Sequence, residues 1–553
     1  MGNLDPMSNE VRTRREFLEF IGRGTLVVSS LPLLNACETV SKAVTPEPFK
    51  ALSPTKSDSL SLVNGLKYDI IARWGDPLRA DLKFGTNNDY LVFFSANEQG
   101  TDGILWVNHE YLAPALVSGR VKGKAPTKAQ AIEEMKTVGG SLIRIRKSPE
   151  GQWSLVQGDK YNRRLDAFTE IPFAGGVAVE GKTTAMGTMG NCAGGFTPWG
   201  TVLTAEENFQ LFYGRSVFED GKKKHIGSQY GWEKHFDNPP EHYGWIVEVD
   251  PMTGSAKKHT SIGRYAQECA TILPLEDGRV VAYSGDDAEN ECLYKFIADK
   301  PGSLDTGALY VADIGAGKWI SLKYEDQPIL QKHFKNQVEV LVRCREAAKL
   351  VGGTPLDRPE DIEIDPVTGA VLVTVTNNKP KGNFYGSILK IEEKGGKGDS
   401  LEFKASTFIS GGPDTGFACP DNMAFDRAGN LWLTCDISEE ALGKGPYSSF
   451  VSNGLFYIPM SGPHSGKVFQ VASGPVDSEL SGPFFSPDGE TLFLSVQHPG
   501  ENSKSRNELT SNWPEGNGAI PRSSVVAITG PLLKNLQSGT KVDPIFDVPL
   551  LKL

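Results

Sequence analysis

Positive charge is not in excess in this 553-residue chain: 57 Lys and Arg stand against 68 Asp and Glu, a formal net charge of −11 at pH 7, and no long basic run interrupts the balance. A protein that tracks a phosphate backbone needs the opposite, so nucleic acid is not an expected partner. No C-x-x-C pair and no H-E-x-x-H occurs, which argues against a zinc site of either kind. The apolar stretch from Gly24 to Leu34 is too short to cross a bilayer.

Gly (60) and Pro (35) are plentiful and imply many turns, while 39% hydrophobic and 23% charged residues are the composition of a soluble globular protein. The length exceeds one ordinary compact domain but suits a single repeat architecture. The seven cysteines are residues 37, 192, 269, 292, 344, 419 and 435. Without Cys37 six remain, a number that would suit three disulfides in an oxidising compartment, yet their spacing gives no compact framework. Cys192 stands out as a thiol with other work.

Thr13-Arg14-Arg15-Glu16-Phe17-Leu18 resembles a twin-arginine export signal, and Leu34-Asn35-Ala36-Cys37 looks like a lipoprotein processing site that would leave a lipid anchor on Cys37. Residues 1–37 therefore read as a signal peptide and 38–65 as a flexible tether rich in Ser, Thr, Lys and Pro. Residues 66–553 are expected to form the functional domain, in the periplasm, on the cell envelope or secreted. The twin-arginine route carries folded proteins, which suits a protein that takes up metals before crossing.

From residue 66 onward short β-rich runs alternate with turn clusters. A theme recurs in which an Asp- and Gly-containing turn leads into an alternating apolar strand: Asp250 to Gly254, Asp365 to Gly369, Asp426 to Asn430 and Ser486 to Gly489. Such repetition marks the blades of a β-propeller, each needing neighbours to bury both faces. Thr127 to Thr137 and Gln337 to Leu350 carry helical spacing and read as short helical insertions, with Cys344 as a buried apolar residue. The insertion from Lys222 to Tyr243 carries His225, His235 and His242 at irregular spacings, which read as solvated loop histidines.

Acidic residues gather where strands run into polar turns: Glu110, Glu206 with Glu207, Asp286 with Asp287, Glu360 beside Arg358, and Asp436. In a propeller such positions can converge on the central channel. Carboxylates sharing a pocket repel one another unless cations hold them, so their clustering predicts metal. Oxygen donors suit Ca²⁺ and ferric iron.

The run from Gly187 to Asn208, with Asn191-Cys192-Ala193-Gly194-Gly195 and Thr204-Ala205-Glu206-Glu207-Asn208, is similar to the signature stretch of PhoX-type alkaline phosphatases. Trp106 to Tyr111, Gly244 to Pro251, Gly285-Asp286-Asp287, Arg358-Pro359-Glu360, Thr376-Asn377-Asn378 and Val496 to Gly500 agree in order. The resemblance implies an all-β, six-bladed β-propeller whose pocket holds two Fe³⁺ and three Ca²⁺ ions with a bridging oxo group, and which hydrolyses small-molecule phosphate monoesters. It implies Cys192 as a thiolate bridging the irons, Glu268 and Glu360 as iron ligands, Asp436 as a further one, and Arg358 as the phosphate grip. Glu110, Glu206, Glu207, Asp286 and Asp287 are implied on the calcium side. Gln267 and Ala205 depart from the family pattern where relatives carry His and Cys. A monomer is expected. Two other readings stay open: another calcium-dependent propeller hydrolase, phytase-like or lactonase-like, and a non-catalytic envelope lipoprotein that serves as a binding platform.

Overall fold

The computed structural model describes residues 46–553 apart from 122, 220 and 221, so the export signal and the processing site at Cys37 lie outside the described residues. Six antiparallel sheets stand around one axis as the blades of a β-propeller. Their innermost strands are Asn88–Ser95, Asn191–Phe196, Thr271–Pro274, Pro359–Ile364, Pro420–Phe425 and Glu479–Phe485, defining blades 1 to 6. Each touches the next, and that of blade 6 touches that of blade 1, so the circle closes.

Closure uses both ends of the folded region. Lys67–Arg73 is the outer strand of blade 6, paired with Ser524–Thr529, and Ser61–Leu62 adds to the outer edge of blade 5. Residues 46–65 are consequently not the free tether that their composition suggests. Leu60 and Val63 are buried, and Phe49 packs on Tyr457 and Phe469. The apolar side chains scattered among the Ser and Pro of this segment gain more from burial than the segment gains from freedom.

Successive strand residues face opposite sides, so each blade presents apolar side chains to both neighbours. Trp106 and Leu142 of blade 1 meet Val202 and Val247 of blade 2; Leu203 and Ile246 meet Tyr294 and Phe296 of blade 3; Val281 and Leu293 meet Ile362 and Val373 of blade 4. Leu372 and Ile388 meet Leu431 and Phe456 of blade 5, Trp432 and Val471 meet Leu494 and Val526 of blade 6, and Phe493 with Val525 returns to Phe93 of blade 1. The repeated turns have one physical cause. Asp250, Asp365 and Asp426 each accept a hydrogen bond from the backbone N–H two residues on, and Gly254, Gly369 and Gly429 take up positive φ.

The helical insertions form as the spacing predicts. Lys128–Met135 starts at a capping box made by Thr127 and Gln130, while the second insertion is two helices, Gln337–Val342 and Cys344–Val351, broken at Arg343. Cys344 is buried, and all six cysteines among the described residues are free thiols, so the three disulfides that their number would suit do not form. The histidines of the 222–243 insertion are only partly solvated. His225 is exposed, but His235 and His242 hold the carbonyls of Pro126 and Val179 at 2.7 and 3.1 Å.

Candidate metal centre

The innermost strands share a local distortion. In five of the six the pairing register slips within the first few residues: after Asn88, Asn191, Pro359, Pro420 and Ser481. A bulge of this kind re-aims side chains away from the regular alternation. In blades 4 and 5 the residue just before the strand, Arg358 and Cys419, is a non-glycine at φ +55° and +51°, a conformation that costs on the order of 1–3 kcal/mol and persists where surrounding structure enforces it.

The result is a ring of ionisable groups, one from the start of each innermost strand or just before it: Asp89, Cys192, Glu268, Glu360, Asp421 and Glu479, all buried. A second set follows the ends of the adjacent strands: Glu110, Glu207, Asp287 and Asp436. Three triads link these sets into a continuous band: Asp89, Glu110 and Cys192; Cys192, Glu207 and Glu268; and Glu268, Asp287 and Glu360. In each, potential ligand atoms all lie within 4.8 Å of one another. Cys192 Sγ is 3.4 Å from Glu268 Oε1 and 3.6 Å from Asp89 Oδ2.

Neutral amides frame the band. Gln497 Nε2 donates to Asp89 Oδ2 and Glu110 Oε2, both at 2.9 Å, and Asn208 Nδ2 donates to Glu110 Oε1 at 2.9 Å and Glu207 Oε2 at 2.5 Å. Behind Cys192, Asn108 Nδ2 donates to the carbonyls of Cys192 and Ala193 at 2.6 and 2.9 Å, fixing the thiol's backbone.

Arg358 is the cation placed inside this acidic band. Its Nε and Nη2 donate to the two oxygens of Asp287 at 2.8 Å, and Nη2 lies 2.8 Å from Glu360 Oε1 and 3.8 Å from Asp436 Oδ2. Burial opposes ionisation of Asp287, but Arg358 outweighs it and holds that carboxyl below its usual range. Elsewhere in the band burial prevails. Burial, reinforced by like charges, pushes Asp89, Glu207, Glu268 and Glu479 well above the usual carboxylate range; burial takes Asp421 up to about 7 and raises the Cys192 thiol well above its ordinary value.

Seven of the expected residues thus come together: Cys192, Glu268, Glu360, Glu110, Glu207, Asp287 and Arg358. Asp436 sits beside Arg358, less buried than the rest. Glu206 and Asp286 point away. Glu206 forms a fully buried pair with Lys258 Nζ at 2.6 Å and accepts from the backbone of Gly244 and Trp245. Asp286 is gripped by the Arg345 guanidinium and accepts from the Ala266 N–H. Each is the neighbour of a residue that does enter the band, on the other side of the strand end. Asp89, Asp421 and Glu479 join the ring without having been expected there; their shared place at a strand start, as for Glu268 and Glu360, was the available signal.

The donor set fits a group of cations. It offers one soft thiol and many hard carboxylate oxygens, the pairing that suits iron together with calcium. Asp89 Oδ1, Glu268 Oε2 and Gln497 Oε1 are buried oxygens without a hydrogen-bond partner, and buried polar atoms are rarely left so unless something else binds them. Beyond the band, a cavity of about 220 Å³ is lined by Tyr90, Asp361, Glu363 and Phe484 and by Ile545 and Phe546 of the C-terminal segment.

The family model described as alkaline phosphatase PhoX matches residues 47–500. Among solved structures, PhoX of Pseudomonas fluorescens in complex with vanadate, a transition-state analogue, superposes with a TM-score of 0.78 at 28% identity, covering 87% of this chain and 98% of that one. A gluconolactonase of Xanthomonas campestris matches at 12% identity over 88% of this chain and 99% of its own, with a TM-score of 0.34. No curated protein sequence matches.

Proposed function

This chain belongs to the PhoX alkaline phosphatase family and is a phosphatase, and on that premise we propose that it hydrolyses phosphate monoesters at the central band, with iron and calcium as its cofactors. The observation that carries this reading is the convergence of buried acidic groups from all six blades on one thiol, with Arg358 as the cation set among the carboxylates. Mutual repulsion on that scale is offset when cations sit between the groups.

Cys192, Glu268 and Glu360 are the residues that would hold iron, with Asp436 as a further donor, and Glu110, Glu207 and Asp287 those that would hold calcium. Asp89, Asp421 and Glu479 enlarge the donor set on the same ring. When bound, the ions supply Lewis-acid polarisation of the phosphoryl oxygens and activation of the attacking oxygen.

The chain's own residues do the rest. Arg358, its plane fixed by the two-point contact with Asp287, is oriented to place a charge-assisted hydrogen bond on the phosphate, and a planar fork held this way loses little freedom on binding. Phosphate monoester hydrolysis is among the slowest reactions without a catalyst, and preorganised charge is the principal means of accelerating it. Asn208 and Gln497 keep Glu110, Glu207 and Asp89 aimed inward, and the inter-blade core keeps the strand starts from relaxing apart. Export as a folded protein to the periplasm or envelope is part of the same proposal.

Elemental analysis of the purified protein together with assays on chromogenic phosphate mono- and diesters tests the reading. Iron and calcium bound together with monoester turnover are expected. Protein that turns over esters with neither metal present would overturn the cofactor assignment, and turnover confined to diesters would overturn the substrate assignment.

A further inference from the structure

We propose that His498, Glu439 and Glu501 form a second metal site, apart from the central band, which takes one divalent transition-metal ion through the imidazole Nδ1 and two carboxylate oxygens. Their ligand atoms all lie within 4.8 Å of one another. Glu439 and Glu501 lie on the loops that follow Leu431–Cys435 of blade 5 and Leu492–Gln497 of blade 6, so two neighbouring blades build the site together.

The imidazole points to a ligand. His498 is only 7% exposed, and its Nδ1 is a buried atom without a hydrogen-bond partner, 3.9 Å from Glu439 Oε1. Donors about 2.0–2.2 Å from one ion stand at most roughly 4.4 Å apart, so that separation leaves room for an ion and is too long for a hydrogen bond. The other ring nitrogen, Nε2, faces Glu479 Oε2 at 3.4 Å. A carboxylate accepting from one imidazole nitrogen while the other carries the metal is the usual arrangement around a metal-bound histidine, and it leaves Nδ1 with its lone pair exposed to the ion. The backbone of His498 sits at φ +34°, a conformation that a non-glycine residue adopts only where it is held.

The chemistry selects the ion class. One imidazole with two carboxylates suits zinc or another first-row divalent ion, whereas calcium favours oxygen donors alone. Glu439 is pushed well above the carboxylate range by burial and by Glu501 beside it, the situation that a divalent ion relieves. Glu479 belongs to the inner ring, so this ion would sit one imidazole away from the central band.

The probe is zinc. Crystals of the full-length protein soaked in zinc chloride are expected to show, in anomalous maps collected above and below the zinc edge, a peak at bonding distance from His498 Nδ1. In solution, protein equilibrated with zinc and freed of excess ion is expected to retain one more equivalent than His498→Gln. Glu501→Gln, at an exposed position with little bearing on folding, is expected to weaken zinc retention at least tenfold. Equal zinc content in wild type and both variants, or no peak beside Nδ1 in soaked crystals, would overturn the assignment. Neither result bears on the central band, whose own failure would show as missing iron and calcium in the unsubstituted protein.

Discussion

Glu206 and Glu207 are adjacent, carry the same side chain and are both buried, yet the structure gives them opposite work, and Glu206→Gln and Glu207→Gln should therefore fail in opposite ways. Glu206 neutralises Lys258 at 2.6 Å with both side chains fully buried. Breaking a buried pair from one side leaves an uncompensated charge and typically costs about 3–5 kcal/mol. The glutamine amide can still accept from the Gly244 and Trp245 N–H groups that hold Glu206 Oε2, so the lower end, ~3 kcal/mol, is expected. Unfolding entropy near 2.1 cal/mol/K per residue over about 500 residues is ~1 kcal/mol/K, which translates that loss into a fall in Tm of about 3 °C. Burial already lowers the Lys258 pKa, so the deficit should shrink as pH rises and the unpaired amine sheds its proton. Glu207→Gln removes one of several repelling carboxylates, so metal-stripped protein should hold or gain stability while bound calcium and activity fall. Differential scanning calorimetry and elemental analysis on both variants make the comparison. If Glu206→Gln lost calcium as Glu207→Gln does, with its Tm unchanged, the assignment of faces at this strand end would be wrong.

Cys192→Ala is expected to lose iron and reduce turnover by more than a hundredfold, with an unchanged β-sheet circular dichroism spectrum; full activity would remove the thiol from the site. Arg358→Lys replaces a two-point fork with a point charge, and kcat/KM for a monoester is expected to fall about 10²–10³-fold, the scale for losing one preorganised donor. Incubation with a calcium-selective chelator should abolish turnover and added calcium should restore it; activity persisting in excess chelator would count against calcium. Glu248 accepts from Trp199, Thr201 and His259, and despite burial these partners lower its pKa from 4.5 to about 2. Its stabilisation is fully present above pH 4.5 and is lost as pH falls towards 2, amounting to at most ~3 kcal/mol. Glu248→Gln should flatten that part of the profile in urea unfolding at pH 3 and 6.

The propeller was legible because its turns repeat: Asp250, Asp365 and Asp426 each open the same hydrogen-bonded bend, and side-chain chemistry at a turn is local. Much of the centre was legible through the run around Cys192 and Glu207. What sequence could not decide was direction. At Glu206-Glu207 and Asp286-Asp287 successive side chains leave the strand end on opposite sides, and the partners that capture the outward members, Lys258 and Arg345, are distant in the chain. Asp89, Asp421 and Glu479 escaped notice because Asn-Asn-Asp, Pro-Asp-Asn and Ser-Glu-Leu look like ordinary turn-to-strand junctions. Only the closed circle of innermost strands, five of them bulged near their start, shows that these junctions meet. Residues 47–65 misled through composition, since Phe49, Ala51, Leu52, Leu60, Leu62 and Val63 among many polar side chains are enough to seat the segment against blades 5 and 6.

The pairing of Lys67–Arg73 with Ser524–Thr529 has a consequence for biogenesis. Lys67–Arg73, made before the first blade, waits through synthesis of five blades for its mate, so during translation the circle is an open arc with Asp89 and Glu479 still strangers. On the proposed reading, an ion arriving then would meet a donor set still lacking the Glu479 of the last blade.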